Sequence, residues 1–205
     1  MNYETLATKD SAHFAVDALK KHGIEAILVE NRRDALEKIK ELIPAGASVM
    51  NGSSRTLEEI GFIEYLKSGN HEWKNVHEEI LAEKDPVKQS ALRKQAVLSD
   101  YYLGSVHAVA ETGQMIIASN SGSQLPHLVY TSPNLILVAG THKITTNLDE
   151  GLKRVREHVL PLEDKRMKEA GMHGSAISKL LIFEREPVFM GRKVYLILVN
   201  EKLGF

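Results

Sequence analysis

Cysteine is missing from all 205 residues, and with it go disulfides, thiolate nucleophiles, cysteine-ligated iron-sulfur clusters and cysteine-type zinc sites. Redox chemistry then needs a bound cofactor or a partner chain. Net charge is missing as well: 26 Lys and Arg stand against 27 Asp and Glu, leaving −1. No overall field draws the chain to nucleic acid or an anionic membrane, so a charged ligand must be held locally. Long apolar runs are also absent. The longest, such as 135–139 and 195–199, fall far short of the ~20 residues of a membrane span, and the polar N-terminus has no signal-peptide core. A cytoplasmic protein is expected, with no membrane insertion, no nucleic-acid partner and no resident cofactor. A chain of this length buries roughly 70% of its unfolded surface, which suffices for one core. Without an internal repeat or a linker, residues 1–205 read as a single domain.

Apolar positions alternate between two periods along the chain. Residues 11–22 place Phe14, Ala15, Ala18 and Leu19 on one helical face, and Gly23 supplies the stop. A short apolar run at 24–29 reads as a strand, and 31–43 returns to helical spacing. Another buried strand is expected at 47–51, then a helix at 56–66 in which Thr56 and Glu59 fit a capping box. Residues 70–99 are charged and weakly amphipathic, with a break at Asp85-Pro86, and read as a helical insertion. Stretches 101–111 and 114–119 flank Thr112-Gly113 as a hairpin. A short helix is expected at 125–130, a buried strand at 134–139 and a long helix at 148–170, bent near Pro161. Strands at 179–183 and 193–199, joined by a turn at Pro187 and Gly191, complete the chain. The pattern predicts an α/β fold with a mixed, mainly parallel sheet sandwiched by helices.

The most informative segment is Asn51, Gly52, Ser53, Ser54, Arg55 and Thr56, a strand running through a glycine and hydroxyl turn into a helix. Such a helix start favours a phosphate or carboxylate, and Arg55 would add a fork of charged donors. The segment lacks the Gly-Lys-Ser/Thr ending of a P-loop and the glycine series of a dinucleotide site, and a plain turn with a Thr56 cap fits it equally well. A second such turn carries Ser119, Ser121, Gly122, Ser123 and Gln124. In a doubly wound sheet both turns lie at the carboxyl ends of strands, where ligands bind. A third strand end supplies Thr141, His142 and Lys143, a proton carrier and a positive charge.

Ser105, His107 and Glu111 fall at alternate positions and are expected on one face of a strand. Glu184-Arg185-Glu186 follows the 179–183 strand and would set one charge near the cleft. His107, Glu111, His142, Lys143 and Glu184 are thus the candidates for catalysis. Arg55 is the expected positive contact for an anion, whereas Arg192, in a late turn, is expected to be replaceable without effect. No HxH, HExxH or GxSxG pattern occurs, so neither a metal site nor a serine triad is expected.

Four stretches in series, Asn51-Gly-Ser-Ser-Arg-Thr-Leu-Glu-Glu-Ile-Gly61, Tyr102-Leu-Gly-Ser-Val-His-Ala-Val-Ala-Glu-Thr-Gly-Gln114, the loop 119–124 and Val138-Ala-Gly-Thr-His-Lys-Ile144, resemble the lactate-utilisation (LUD) domain family across nearly the whole chain. The resemblance implies the fold of glucosamine-phosphate deaminases, ribose-phosphate isomerases and CoA transferases. It also implies a part in oxidising L-lactate to pyruvate, as the cluster-free subunit beside iron-sulfur partner subunits. Some relatives carry a cysteine-rich segment where this chain has Gly171-Met-His-Gly-Ser175, which argues against a cluster here. Two functions follow: an accessory subunit whose cleft binds a small carboxylate or phosphate, or a stand-alone isomerase or acyl-CoA transferase-like enzyme. The transferase would need Glu111 or Glu184 as its nucleophile. Either could assemble as a homo-oligomer.

Overall fold

The computed structural model describes residues 2–205. Strands β1 (Glu25–Val29), β2 (Ser48–Asn51), β3 (Lys74–Asn75), β4 (Tyr101–Ser105), β7 (Asn134–Gly140) and β10 (Lys193–Val199) form one sheet in the order β1-β10-β7-β4-β2-β3. Every pairing in it is parallel. Strands β5 (Ala108–Ala110), β6 (Met115–Ser119), β8 (Ile144–Thr145) and β9 (Lys179–Phe183) form a second, mixed sheet in the order β8-β5-β6-β9. The α/β class with a mainly parallel sheet flanked by helices is therefore what the chain adopts.

Strand periodicity sorts the core. On β7, Leu135, Leu137 and Ala139 face α1 (Lys9–Lys21) and the second sheet. Ile136 and Val138 face the opposite layer, built from α2 (Arg32–Leu42), α3 (Arg55–Glu59) and α4 (Phe62–Ser68). The near-continuous apolar run of β7 is what a strand covered on both faces requires. Residues 74–95 supply β3, α5 (Val76–Ala82) and α6 (Pro86–Gln95), the last capped by Asp85. The far face of the second sheet is covered by α7 (Leu148–Arg154), with Ala108, Ile116 and Val155 packed between them. No helix among the described residues is long and apolar enough to cross a membrane.

Four local expectations change. The 101–119 stretch is not one hairpin, because the chain leaves the parallel sheet after Ser105 and enters the second sheet at Ala108; only β5 and β6 pair antiparallel. Strands β9 and β10 belong to different sheets and form no hairpin. Ser54, not Thr56, caps α3 by accepting from Leu57 N at 3.3 Å, and Gly61 at φ +78° breaks the 56–66 helix in two. The late helix runs from α7 through a π turn at Val155–Val159 into α8 (Leu160–Glu169). Pro161 has no N–H to return to the preceding turn, and the wider π turn falls just where that bond is missing.

Candidate functional site

Three neighbouring parallel strands, β2, β4 and β7, end at the same edge of the sheet, and each delivers one polar group there. Thr56 follows β2, Ser105 closes β4, and the 3₁₀ turn Thr141–Lys143 follows β7. Lys143 Nζ donates to Thr56 Oγ1 at 3.1 Å, Ser105 Oγ at 3.2 Å and the Val106 carbonyl at 3.2 Å. Ser105 Oγ donates to Thr56 Oγ1 at 3.1 Å, and Thr56 Oγ1 to the Leu203 carbonyl at 3.3 Å. All three acceptors of the ammonium are neutral. Lys143 is only 3% exposed. Burial lowers its pKa to about 7; the Arg154 charge pushes the same way and Glu59 opposes. Gly204 lies over this cluster at φ +66°, its N–H donating to Glu59 Oε2 at 2.7 Å. A Cβ there would strike Thr56 and come within 3.2 Å of Lys143 Nζ.

The two glycine and hydroxyl turns meet beside this cluster. A Cβ on Gly52 would collide with the Tyr102 hydroxyl and stand 3.8 Å from Gln124 Oε1. Tyr102 is 1% exposed, stacks on His127 at 4.2 Å between ring centroids, and has no hydrogen-bond partner for its hydroxyl. Burial raises its pKa, so the phenol stays protonated. Replacing Tyr102 with Phe removes an unpartnered buried hydroxyl and is expected to leave urea stability unchanged or raise it by about 1–2 kcal/mol. A loss above about 1 kcal/mol would show that the hydroxyl has a structural partner.

Arg154, from α7, is fully buried and donates from Nη1 to the His107 carbonyl at the crossover between sheets. His107 Nδ1 accepts from Ala118 N at 3.1 Å, which fixes the ring proton on Nε2. His142 is 2% exposed; its ring nitrogens make no well-aligned hydrogen bond, and the Glu201 backbone beside the ring opposes the fall of its pKa. Burial, then Lys143 and Arg154, lower the pKa of both imidazoles to about 3. In the unfolded chain they titrate near 6.5, so below that pH the unfolded state binds more protons and stability falls as pH drops toward 3. At pH 5 the loss is expected to reach up to about 2 kcal/mol per imidazole. Urea midpoints at pH 7 and pH 5 test this; equal midpoints, or imidazole resonances titrating near 6.5, would contradict it.

The remaining sequence candidates disperse. Asn51 is buried; its Nδ2 donates to the Gly52 carbonyl at 3.2 Å, and its own carbonyl accepts from His77 Nδ1 at 3.2 Å. Ser53 is exposed and Ser54 is spent as a cap. Arg55 turns along its own helix to Glu58 and Glu59 at 3.2 and 3.3 Å, and α3 has only five residues. Ser119 Oγ accepts from Gly122 N, and Ser121 pairs with Ser123. The shared face expected for Ser105, His107 and Glu111 does not form, because the chain changes sheets between them. Glu111 accepts from Ser11 of α1. The register Met115 to Phe183 and Ser119 to Lys179 puts Glu184 at the opposite end of β9 from the 119–124 loop. There it borders an apolar groove of about 690 Å³ with Tyr130, Phe189 and Met190. Arg192 is not a free turn residue: it is 9% exposed and bonds Glu186, Ser132, His127 and Leu128. Arg154, Tyr102 and His77 were missing from the sequence-level candidates. For Arg154 a signal existed, since Gly151, Arg154, Val155 and Val159 fall at helical spacing on one buried face.

In comparisons with known proteins, no curated sequence matches. The chain is similar to a crystallised DUF162 family protein from Deinococcus radiodurans, with a TM-score of 0.55 at 14% identity, over 95% of this chain and 99% of that one. That likeness shows the fold. The family model described as LUD domain matches residues 13–199, a span that holds every strand, both hydroxyl turns and Thr56, Ser105 and Lys143, and the chain belongs to the LUD domain family.

Proposed function

We propose that the chain serves L-lactate utilisation as an accessory subunit beside iron-sulfur partner subunits, and that the carboxyl edge of its parallel sheet binds a small carboxylate. Membership of the LUD family supports the physiological setting. One observation carries the ligand class: Lys143 is buried against hydroxyls and a carbonyl, with no carboxylate among its hydrogen-bond partners. Glu59 acts on it only from a distance, being bonded to Arg55 and Gly204 N; a buried cation without a direct counter-ion is costly, and an anionic ligand supplies that contact. The transferase reading needs a carboxylate nucleophile at this edge, but Glu111 is engaged with α1 and Glu184 lies at the other end of β9. Those placements favour the binding subunit.

Calorimetric titration with sodium L-lactate, sodium pyruvate and inorganic phosphate tests the ligand class. Saturable binding of a monocarboxylate is expected. Heat from phosphate alone would overturn the carboxylate assignment in favour of a phosphate site.

A further inference from the structure

Arg154 heads the largest fully buried side chains among the described residues. Its burial is built in. Gly151 lets α7 lie close on the second sheet, where a Cβ would meet Ile116, Thr145 and Ala108. One turn later the guanidinium enters the crossover region and Nη1 meets the His107 carbonyl. Nε and Nη2 have no hydrogen-bond partner, and no ion pair among the described residues includes Arg154. These two nitrogens form the side-on fork of a guanidinium, whose parallel N–H bonds match the two oxygens of one carboxylate. A buried charged donor left unfilled costs more than a neutral one, so native structures rarely leave such a fork empty.

The surroundings share that deficit. Thr141 Oγ1 is buried without a hydrogen-bond partner, the neighbouring His142 ring has only the Glu201 backbone beside it, and the Arg154 charge acts on His107, His142, Lys143 and His158 alike. The Tyr3 ring lies 6.0 Å from Arg154 Cζ and 5.5 Å from the His158 ring, and Glu4 lies 3.2 Å from His158 Nε2 and pairs with Lys202.

We propose that the Nε and Nη2 fork of Arg154 is the carboxylate-recognition element for a small 2-hydroxy or 2-oxo monocarboxylate that enters beneath Tyr3. The oxygen on the carbon next to the carboxylate is the partner that Thr141 Oγ1 lacks. This rests on the reading that the sheet edge binds a small carboxylate, and it adds the residue that holds the carboxylate and the substituent beside it. Lys143, with its pKa near 7, then adds a second positive contact to the same carboxylate, one whose charge depends on pH.

The test compares pyruvate, acetate and lactamide by calorimetry on the full chain, with Arg154→Lys and Lys143→Met, and follows arginine Nε–H resonances by nitrogen-15 NMR. Pyruvate is expected to bind, acetate more weakly for want of the oxygen on the carbon next to the carboxylate, and lactamide not at all. Arg154→Lys keeps the charge but loses the fork, and should weaken pyruvate roughly 10- to 100-fold. A slowly exchanging Nε–H resonance, absent in Arg154→Lys, should move on pyruvate addition. Undiminished pyruvate affinity in a folded Arg154→Lys overturns the fork, while the carboxylate reading stands if Lys143→Met still loses binding. Absence of pyruvate binding to the unmodified chain sinks both. Where the Arg154 variant does not fold, an Nε–H resonance unmoved at saturating pyruvate is decisive against the fork.

Discussion

Replacing Arg192 with Ala is expected to destabilise the protein by about 3–5 kcal/mol, the range for removing one partner of a buried ion pair. The guanidinium holds four acceptors: Glu186 Oε2 at 3.2 Å and the carbonyls of Ser132, His127 and Leu128 at 2.9, 2.9 and 2.6 Å. It ties the Val188–Met190 turn to the segment between β6 and β7. The side chains of Arg192 and Glu186 are 9% and 6% exposed, so truncation strands a buried carboxylate and three carbonyls without that donor. Burial already raises the Glu186 pKa, with the Arg192 charge opposing that rise. Without Arg192 that opposition disappears, and Glu186 can relieve its burial by taking a proton. The loss should therefore shrink as pH falls, and the pair Arg192→Met with Glu186→Leu should recover much of it. Urea unfolding at pH 5 and pH 8 measures both effects. A loss below about 0.5 kcal/mol at pH 8 would return Arg192 to the class of ordinary surface residues.

Arg192 also marks where sequence reading stops. Its neighbours Gly191 and Pro187 announce a turn, and turns are usually at the surface. The carbonyls it holds belong to residues some 60 positions earlier, and no local pattern reports that meeting. Elements were legible where periodicity had a single reading. The runs that became β1, α2, β2 and β7, and the break at Asp85-Pro86 between α5 and α6, are local events. Sheet membership was not, because an apolar stretch of five residues looks the same in either sheet. Consequently 101–111 read as one strand although Val106 and His107 carry the chain between two sheets, and the expected common face of Ser105, His107 and Glu111 vanished with it. The site divides similarly. Lys143 was visible as a charge at a strand end, and the 51–56 and 119–124 turns as hydroxyl loops. The choice between Arg55 and Lys143 as the dominant cation was not visible, since it depends on burial. Arg55 finds Glu58 and Glu59 on its own helix, while Lys143 is closed in by β2, β4 and the C-terminal segment.

Replacing Lys143 with Met is expected to weaken monocarboxylate binding by roughly 10- to 150-fold, equivalent to the 1.5–3 kcal/mol of a charge-assisted hydrogen bond, while the fold persists. Methionine matches the lysine stem in length and tolerates an apolar surround. All three acceptors lose the ammonium, but Ser105 Oγ and Thr56 Oγ1 remain bonded to each other, Thr56 to Leu203, and Ser105 Oγ lies 3.3 Å from the Val106 carbonyl. Against that loss, the variant no longer buries a second cation near Arg154. Two pH dependences separate a ligand role from a structural one. Lys143 titrates near 7 in the folded chain and near 10.5 unfolded, so between those values the unfolded state binds the extra proton and stability rises with pH. The Met variant should lack that rise. Binding should change the other way: an anion favours the ammonium, so pyruvate affinity of the unmodified chain should fall as pH rises through about 7, and the variant should show weak, pH-independent affinity. A stability profile that flattens while pyruvate binding keeps both its strength and its pH dependence would make Lys143 a buried strut and move the anion elsewhere.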